Sequence, residues 1–184
     1  VIYIFAVSAA IGETNSVPLN KVHLSINSIP LNKKIPSKKQ VISAFKDQKP
    51  LWLDAWKKGI IKRIRTKKRI IALTFDACGG PYGNGFDWRI FKFLKKNKIP
   101  ATFFLSGRWI LKNKKIVHAI NSIPFFDIQN HGYSHKPLSV RGWSKYGIKG
   151  TTSVSEVYDE IMKNDALIYS LTGKKPVLFR SGTA

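Results

Sequence analysis

The chain has 184 residues, 43% of them hydrophobic, enough to bury one sizeable core, and one main domain is expected. Its 32 Lys and Arg against 10 Asp and Glu give a net charge of +22, which favours anionic partners such as nucleic acid, acidic lipid or an anionic cell-wall polymer. A single cysteine, Cys78, excludes an intramolecular disulfide, so cysteine count does not identify an oxidising compartment.

The first ten residues are apolar and end in Ser8, Ala9 and Ala10, as the hydrophobic region and cleavage site of a signal peptide do. Residues 1–12 are read as a signal-peptide remnant, with export to the periplasm or the exterior expected; a buried amino-terminal strand is the alternative. About ten residues cannot span a bilayer, which needs about 20, so no transmembrane span is expected. Residues 13–66 form a Lys-, Pro- and Asn-rich extension. Pro18, Pro30 and Pro36 interrupt it, so a loose chain is expected up to about Lys49. One helix is expected over residues 51–64, where Leu53, Trp56, Ile60 and Ile64 recur at helical spacing. Trp52 and Trp56 there serve either as sugar platforms or as core packing. The densest basic run, from Lys57 to Arg69, carries no recognition motif. No specific nucleic-acid recognition is expected, although the basic surface suits anionic polymers.

From residue 67 to 184 strand and helix signals alternate. Residues 70–75 read as a continuous apolar strand, followed by a helix capped by Asp87 that carries Ile90, Phe91 and Leu94 on one face. A second strand is expected over 101–105, a helical region over 108–120 with a break near Asn113, and a third strand over 125–130. Ser153 and Glu156 predict a capping box for a helix running to Gly173, and residues 176–180 read as a fourth strand. Such alternation predicts an α/β fold with parallel strands. In a βα barrel it places Asp76, His131, His135 and Arg180, all just after strands, on one carboxyl-terminal face.

His131 and His135 are four residues apart, so they meet one divalent cation either from one side of a helical turn or from a tight loop. Neutral imidazoles suit zinc or a similar borderline cation. Asp76 closes the segment Thr74-Phe75-Asp76-Ala77, and Arg180 closes Leu178-Phe179-Arg180. These three segments, in this order, resemble the Thr-Phe-Asp-Asp, His-x-x-x-His and arginine motifs of the polysaccharide deacetylases (NodB-like, carbohydrate esterase family four). The resemblance covers about 69–184. It implies a distorted βα barrel of about seven strands. With about four strands evident, the domain over 67–184 is expected to be the incomplete first part of a truncated barrel.

The same resemblance implies a metal-dependent hydrolase removing acetyl groups from an N-acetylated, peptidoglycan- or chitin-like polysaccharide. Asp76 would be the general base and Arg180 its ion-pair partner, holding it ionised; otherwise they are a turn-capping aspartate and a surface arginine. Asn130 and Tyr133 would bind sugar hydroxyls, orient the histidines or shape the turn. The family's second aspartate falls on Ala77, which cannot coordinate, so Asp76, Cys78 or a substrate oxygen would complete the metal sphere. No general-acid histidine is evident: His23 lies in the extension and His118 on the second helical region. Two alternatives stand beside the deacetylase: a non-catalytic carbohydrate- or wall-binding homologue, and a thiol hydrolase using Cys78 with His131 or His135.

Overall fold

A computed structural model describes residues 35–48, 69–81 and 83–182. Three parallel strands form one sheet in the order β1-β2-β3: β1 Thr74–Ala77, β2 Ala101–Leu105 and β3 Phe126–Asn130. Thr74 faces Thr102 and Ala77 faces Leu105, while Ala101 faces Phe126 and Leu105 faces Asn130. α2 (Trp88–Lys96) connects β1 to β2, α3 (Gly107–Lys112) and α4 (Lys114–Asn121) connect β2 to β3, and α5 (Val154–Thr172) follows β3. The α/β class with parallel strands is as expected from the alternation. Among the described residues no helix is long and apolar enough to cross a membrane.

Local chemistry sets the helix ends. Asp87 Oδ1 accepts from the backbone N–H groups of Arg89 and Ile90 at 2.8 and 3.2 Å, starting α2. The expected break at Asn113 is present: it closes α3, its carbonyl accepts from Ile116 and Val117 to begin α4, and its side-chain amide donates to Trp109 O at 3.0 Å. Only half of the expected capping box on α5 forms. Ser153 Oγ accepts from Glu156 N–H, but the Glu156 carboxylate takes the N–H of Thr152 instead of that of Ser153. Gly173, in the left-handed region at φ 70°, ends the helix.

The core lies between the sheet and these helices. Phe75, Phe103, Phe91 and Phe126 pack as stacked and edge-on rings with centroids 5.2–5.6 Å apart. Trp109, Ile110, Val117, Ile120 and Ile168 are completely buried around them. Burying each such side chain stabilises the fold by about 1.5–3 kcal/mol.

Three elements differ from expectation. β1 begins at Thr74, not residue 70, and Ile71 is 68% exposed, because the ladder with β2 extends no further back. Residues 176–180 meet β3 at one parallel bridge, Asn130 with Phe179. The N–H groups of Val177 and Leu178 go to Gln129 Oε1, at 2.9 and 2.7 Å, so a side chain replaces the rest of a strand ladder. Within the stretch read as loose, α1 (Lys38–Phe45) forms on a Ser37–Gln40 capping box. It docks on α5 through a half-exposed Lys38–Asp159 pair at 2.8 Å, worth little by itself. The signal segment, the helix expected over 51–64 with Trp52 and Trp56, His23, and the basic run before Arg69 lie outside the described residues.

Candidate functional site

Strand alternation puts Thr74 and Asp76 on the sheet face opposite the aromatic core. Arg180 arrives from the segment bridged to β3. Its Nη1 donates to Asp76 Oδ1 at 2.5 Å and its guanidinium to Thr74 Oγ1 at 3.2 and 3.3 Å. The guanidinium also lies 4.0 Å above the ring of Phe104, the β2 residue opposite Asp76. Burial raises the Asp76 pKa and the Arg180 charge and hydrogen bond lower it. Burial is the larger effect, so the carboxyl sits above its ordinary value. The arginine therefore lowers the pKa, as expected of an ion-pair partner, but tempers the upward shift without reversing it.

His131 and His135 sit on a loop, not a helical turn. Gly132 at φ 82° and His135 at φ 59° bend the backbone through the left-handed region, and the two rings meet edge to face with centroids 4.8 Å apart. His131 Nδ1 lies 2.9 Å from the Arg180 carbonyl, which can only accept, so Nδ1 carries the proton and Nε2 the lone pair. His135 is 7% exposed, yet neither of its ring nitrogens has a hydrogen-bond partner among the described residues. Burial lowers both imidazoles from 6.5 to about 4, leaving them neutral at pH 7. Gly182 allows this packing: a Cβ there would lie 2.9 Å from His135 Cγ and Cδ2.

Cys78, one residue beyond β1, brings its Sγ to 3.8 Å from His131 Nε2. Its carbonyl is fixed by Ser106 Oγ at 2.8 Å and Arg108 Nε at 2.6 Å. Burial, with the charge of Asp76, pushes the thiol pKa up, the opposite of an activated nucleophilic cysteine.

The residues that hold this arrangement carried no sequence signal. Glu160, 6% exposed on α5, accepts the N–H groups of Ser134 and Lys136 at 2.8 and 3.0 Å, while its own carbonyl accepts from Tyr133 N–H. Asn164 donates to Leu105 O and Asn130 Oδ1. Asn130, expected to bind sugar, orient the histidines or shape the turn, is 1% exposed and fully engaged: its amide donates to Ile161 O, and its oxygen accepts from Gly132 N–H and Asn164. It orients the histidine loop from within and offers nothing to a ligand. Tyr133 is half-buried with its ring against Gly107, where a Cβ would come within 2.6 Å of Cδ2. His118 is exposed on α4.

Residues 63–183 match the family model described as polysaccharide deacetylase. The chain belongs to the polysaccharide deacetylase family. It is 26% identical over 114 residues to the peptidoglycan-N-acetylmuramic acid deacetylase PdaA of Bacillus subtilis, covering 62% of this chain and 38% of that protein. To the peptidoglycan-N-acetylglucosamine deacetylase PgdA of Listeria monocytogenes it is 28% identical over 120 residues, covering 65% and 22%. The chain thus spans well under half the length of these relatives. Among solved structures, a family 4 carbohydrate esterase pseudoenzyme from Bacillus anthracis aligns with TM-score 0.44 at 30% identity, covering 60% of this chain and 34% of that one.

Polysaccharide deacetylases are in general metal-dependent, and the residues present fit a cation. His131, His135 and Cys78 each offer a donor atom, all within 4.8 Å of one another. The two orphaned nitrogens of buried His135 are otherwise unexplained polar groups, and the Nε2 lone pair of His131 faces the Cys78 thiol beside them.

Proposed function

We propose that this protein is an exported, zinc-dependent hydrolase that removes acetyl groups from an N-acetylated polysaccharide of peptidoglycan or chitin type. The deacetylase-like domain is assigned to residues 67–184, behind the extension over 13–66 and a signal segment over 1–12. The observation that carries the proposal is the buried Asp76–Arg180 pair beside two neutral imidazoles, one of which, His135, has both ring nitrogens unpaired. The relatives named for deacetylation of N-acetylmuramic acid and N-acetylglucosamine in peptidoglycan support the substrate class.

His131 and His135 would hold the metal, which when bound supplies Lewis-acid polarisation and lowers the pKa of water to about 7. The Asp76 carboxylate accepts the proton of the attacking water. Its raised pKa makes it a better base than an exposed aspartate. Arg180 fixes the orientation of that carboxylate through Nη1, and through its main-chain carbonyl it sets which nitrogen of His131 is free. Tyr133, half-exposed beside the histidines, is the residue assigned to the sugar.

The test is acetate release from N-acetylated glycan oligomers by the zinc-loaded full chain, with bound metal quantified. Release is expected, and the His131→Ala/His135→Ala double variant is expected to lose both metal and activity. Retained zinc stoichiometry in the double variant would sink the metal assignment. Binding to peptidoglycan with no acetate release from the loaded wild type would overturn the enzyme in favour of a non-catalytic wall-binding homologue, to which the loss of a coordinating side chain at Ala77 already points.

A further inference from the structure

We propose that Cys78 is the third protein ligand, so that the site is a thiolate and two imidazoles in place of a carboxylate and two imidazoles. This rests on the metal-dependent function proposed above and specifies its coordination. Ala77 has no donor atom, and its methyl packs against the aromatic core. The side-chain alternation that turns Ala77 toward the core turns Asp76 and Cys78 the other way, toward Arg180 and His131 respectively.

The geometry is close to what a tetrahedral cation requires. Bond lengths of about 2.3 Å to sulfur and about 2.0 Å to nitrogen give an S···N edge of about 3.5 Å. Cys78 Sγ stands 3.8 Å from His131 Nε2, and the three donor atoms all lie within 4.8 Å. The outer supports are those of a ligand set. The His131 Nδ1–H is fixed on the Arg180 carbonyl, and the Cys78 main chain is fixed by Ser106 and Arg108. An independent pointer is His135, more than nine-tenths buried with both nitrogens unpaired, its ring against that of His131. On binding, the thiol proton passes to solvent as the sulfur–metal bond forms. A thiolate donor shifts preference toward zinc and cobalt and away from magnesium or manganese.

Because Cys78 is the only sulfhydryl in the chain, a sulfur signal has one source. The full chain is titrated with Co(II) and read by absorption, and Zn(II) is tested for protecting the thiol from iodoacetamide. One Co(II) per chain with a near-ultraviolet sulfur-to-cobalt charge-transfer band is expected, together with at least about tenfold slower alkylation in zinc. Cys78→Ser is expected to lose the band and bind Co(II) more weakly by about 100-fold or more, beyond the loss typical of an outer partner. Stoichiometric Co(II) that requires His131 and His135 but gives no such band overturns the thiolate and leaves the metal-dependent reading intact. No retention of Co(II) or Zn(II) by the wild-type chain overturns both. The wild-type band and alkylation rate decide the matter even where Cys78→Ser fails to fold.

Discussion

On the helix-covered side of the sheet, Phe75, Phe103, Phe91 and Phe126 are held by burial alone; at the carboxyl ends of the strands, Asp76, Asn130 and His131 are held by hydrogen bonds to particular atoms. Apolar packing is non-directional, so the first region tolerates exchange among side chains of similar volume. The second is directional and largely buried. A lost partner there leaves a buried polar group unsatisfied, and no neighbour can compensate by collapsing. The two regions share the same strands: in β1, Phe75 serves one and Asp76 the other.

The largest effect should come from the directional side. Asp76→Asn keeps the shape but removes the base, and acetate release should fall by about 10²–10⁴-fold with bound metal unchanged. If zinc content fell with it, Asp76 would be a ligand and not a base. On the packing side, Trp109→Ala empties a completely buried volume and should cost about 3–5 kcal/mol in urea unfolding. A loss under 1 kcal/mol would mean the core around α3 is not as described.

Asn164→Leu sharpens the contrast, since it is close to volume-conserving in a fully buried position. A packing role predicts near neutrality. The bonds to Leu105 O and Asn130 Oδ1 predict a loss of about 1–3 kcal/mol and weaker metal retention.

The last test is with pH. Folding lowers both imidazoles from 6.5 to about 4, so between those values the unfolded chain binds more protons than the folded one. Stability of the metal-free protein should therefore be fully present above pH 6.5 and decline as pH falls toward 4. Thermal midpoints at pH 7 and pH 5 check this, and the slope should flatten in the His131→Ala/His135→Ala variant. An unchanged slope would mean the imidazoles are not buried neutral.

How much was legible from the sequence follows the same division. Residues 101–105 are a strand as read, Asp87 and Gly173 bound their helices, and Asn113 breaks one, because hydrophobic period and capping are local properties. The spacing of His131 and His135 and the positions of Asp76 and Arg180 after apolar segments were also visible, though the roles assigned to them remain proposals. Glu160 and Asn164 were not legible, since on an amphipathic helix they look like any polar residues until α5 is laid over the histidine loop. Asn130 stayed open between ligand contact, support of the histidines and turn residue for the same reason: an amide beside two histidines gives no hint whether it faces outward or into α5.

The sequence by itself determined which segments could be strands, where helices start and stop, and which side chains have the donor atoms that metal and proton chemistry would need. Tertiary structure alone decided that a glutamine side chain stands in for a fourth strand's ladder, that burial outweighs the arginine in setting the Asp76 pKa, and that Cys78 faces His131. The reason is range: propensity and capping act over a few residues, whereas desolvation and hydrogen-bond geometry depend on partners distant in the chain, 104 positions apart for Asp76 and Arg180.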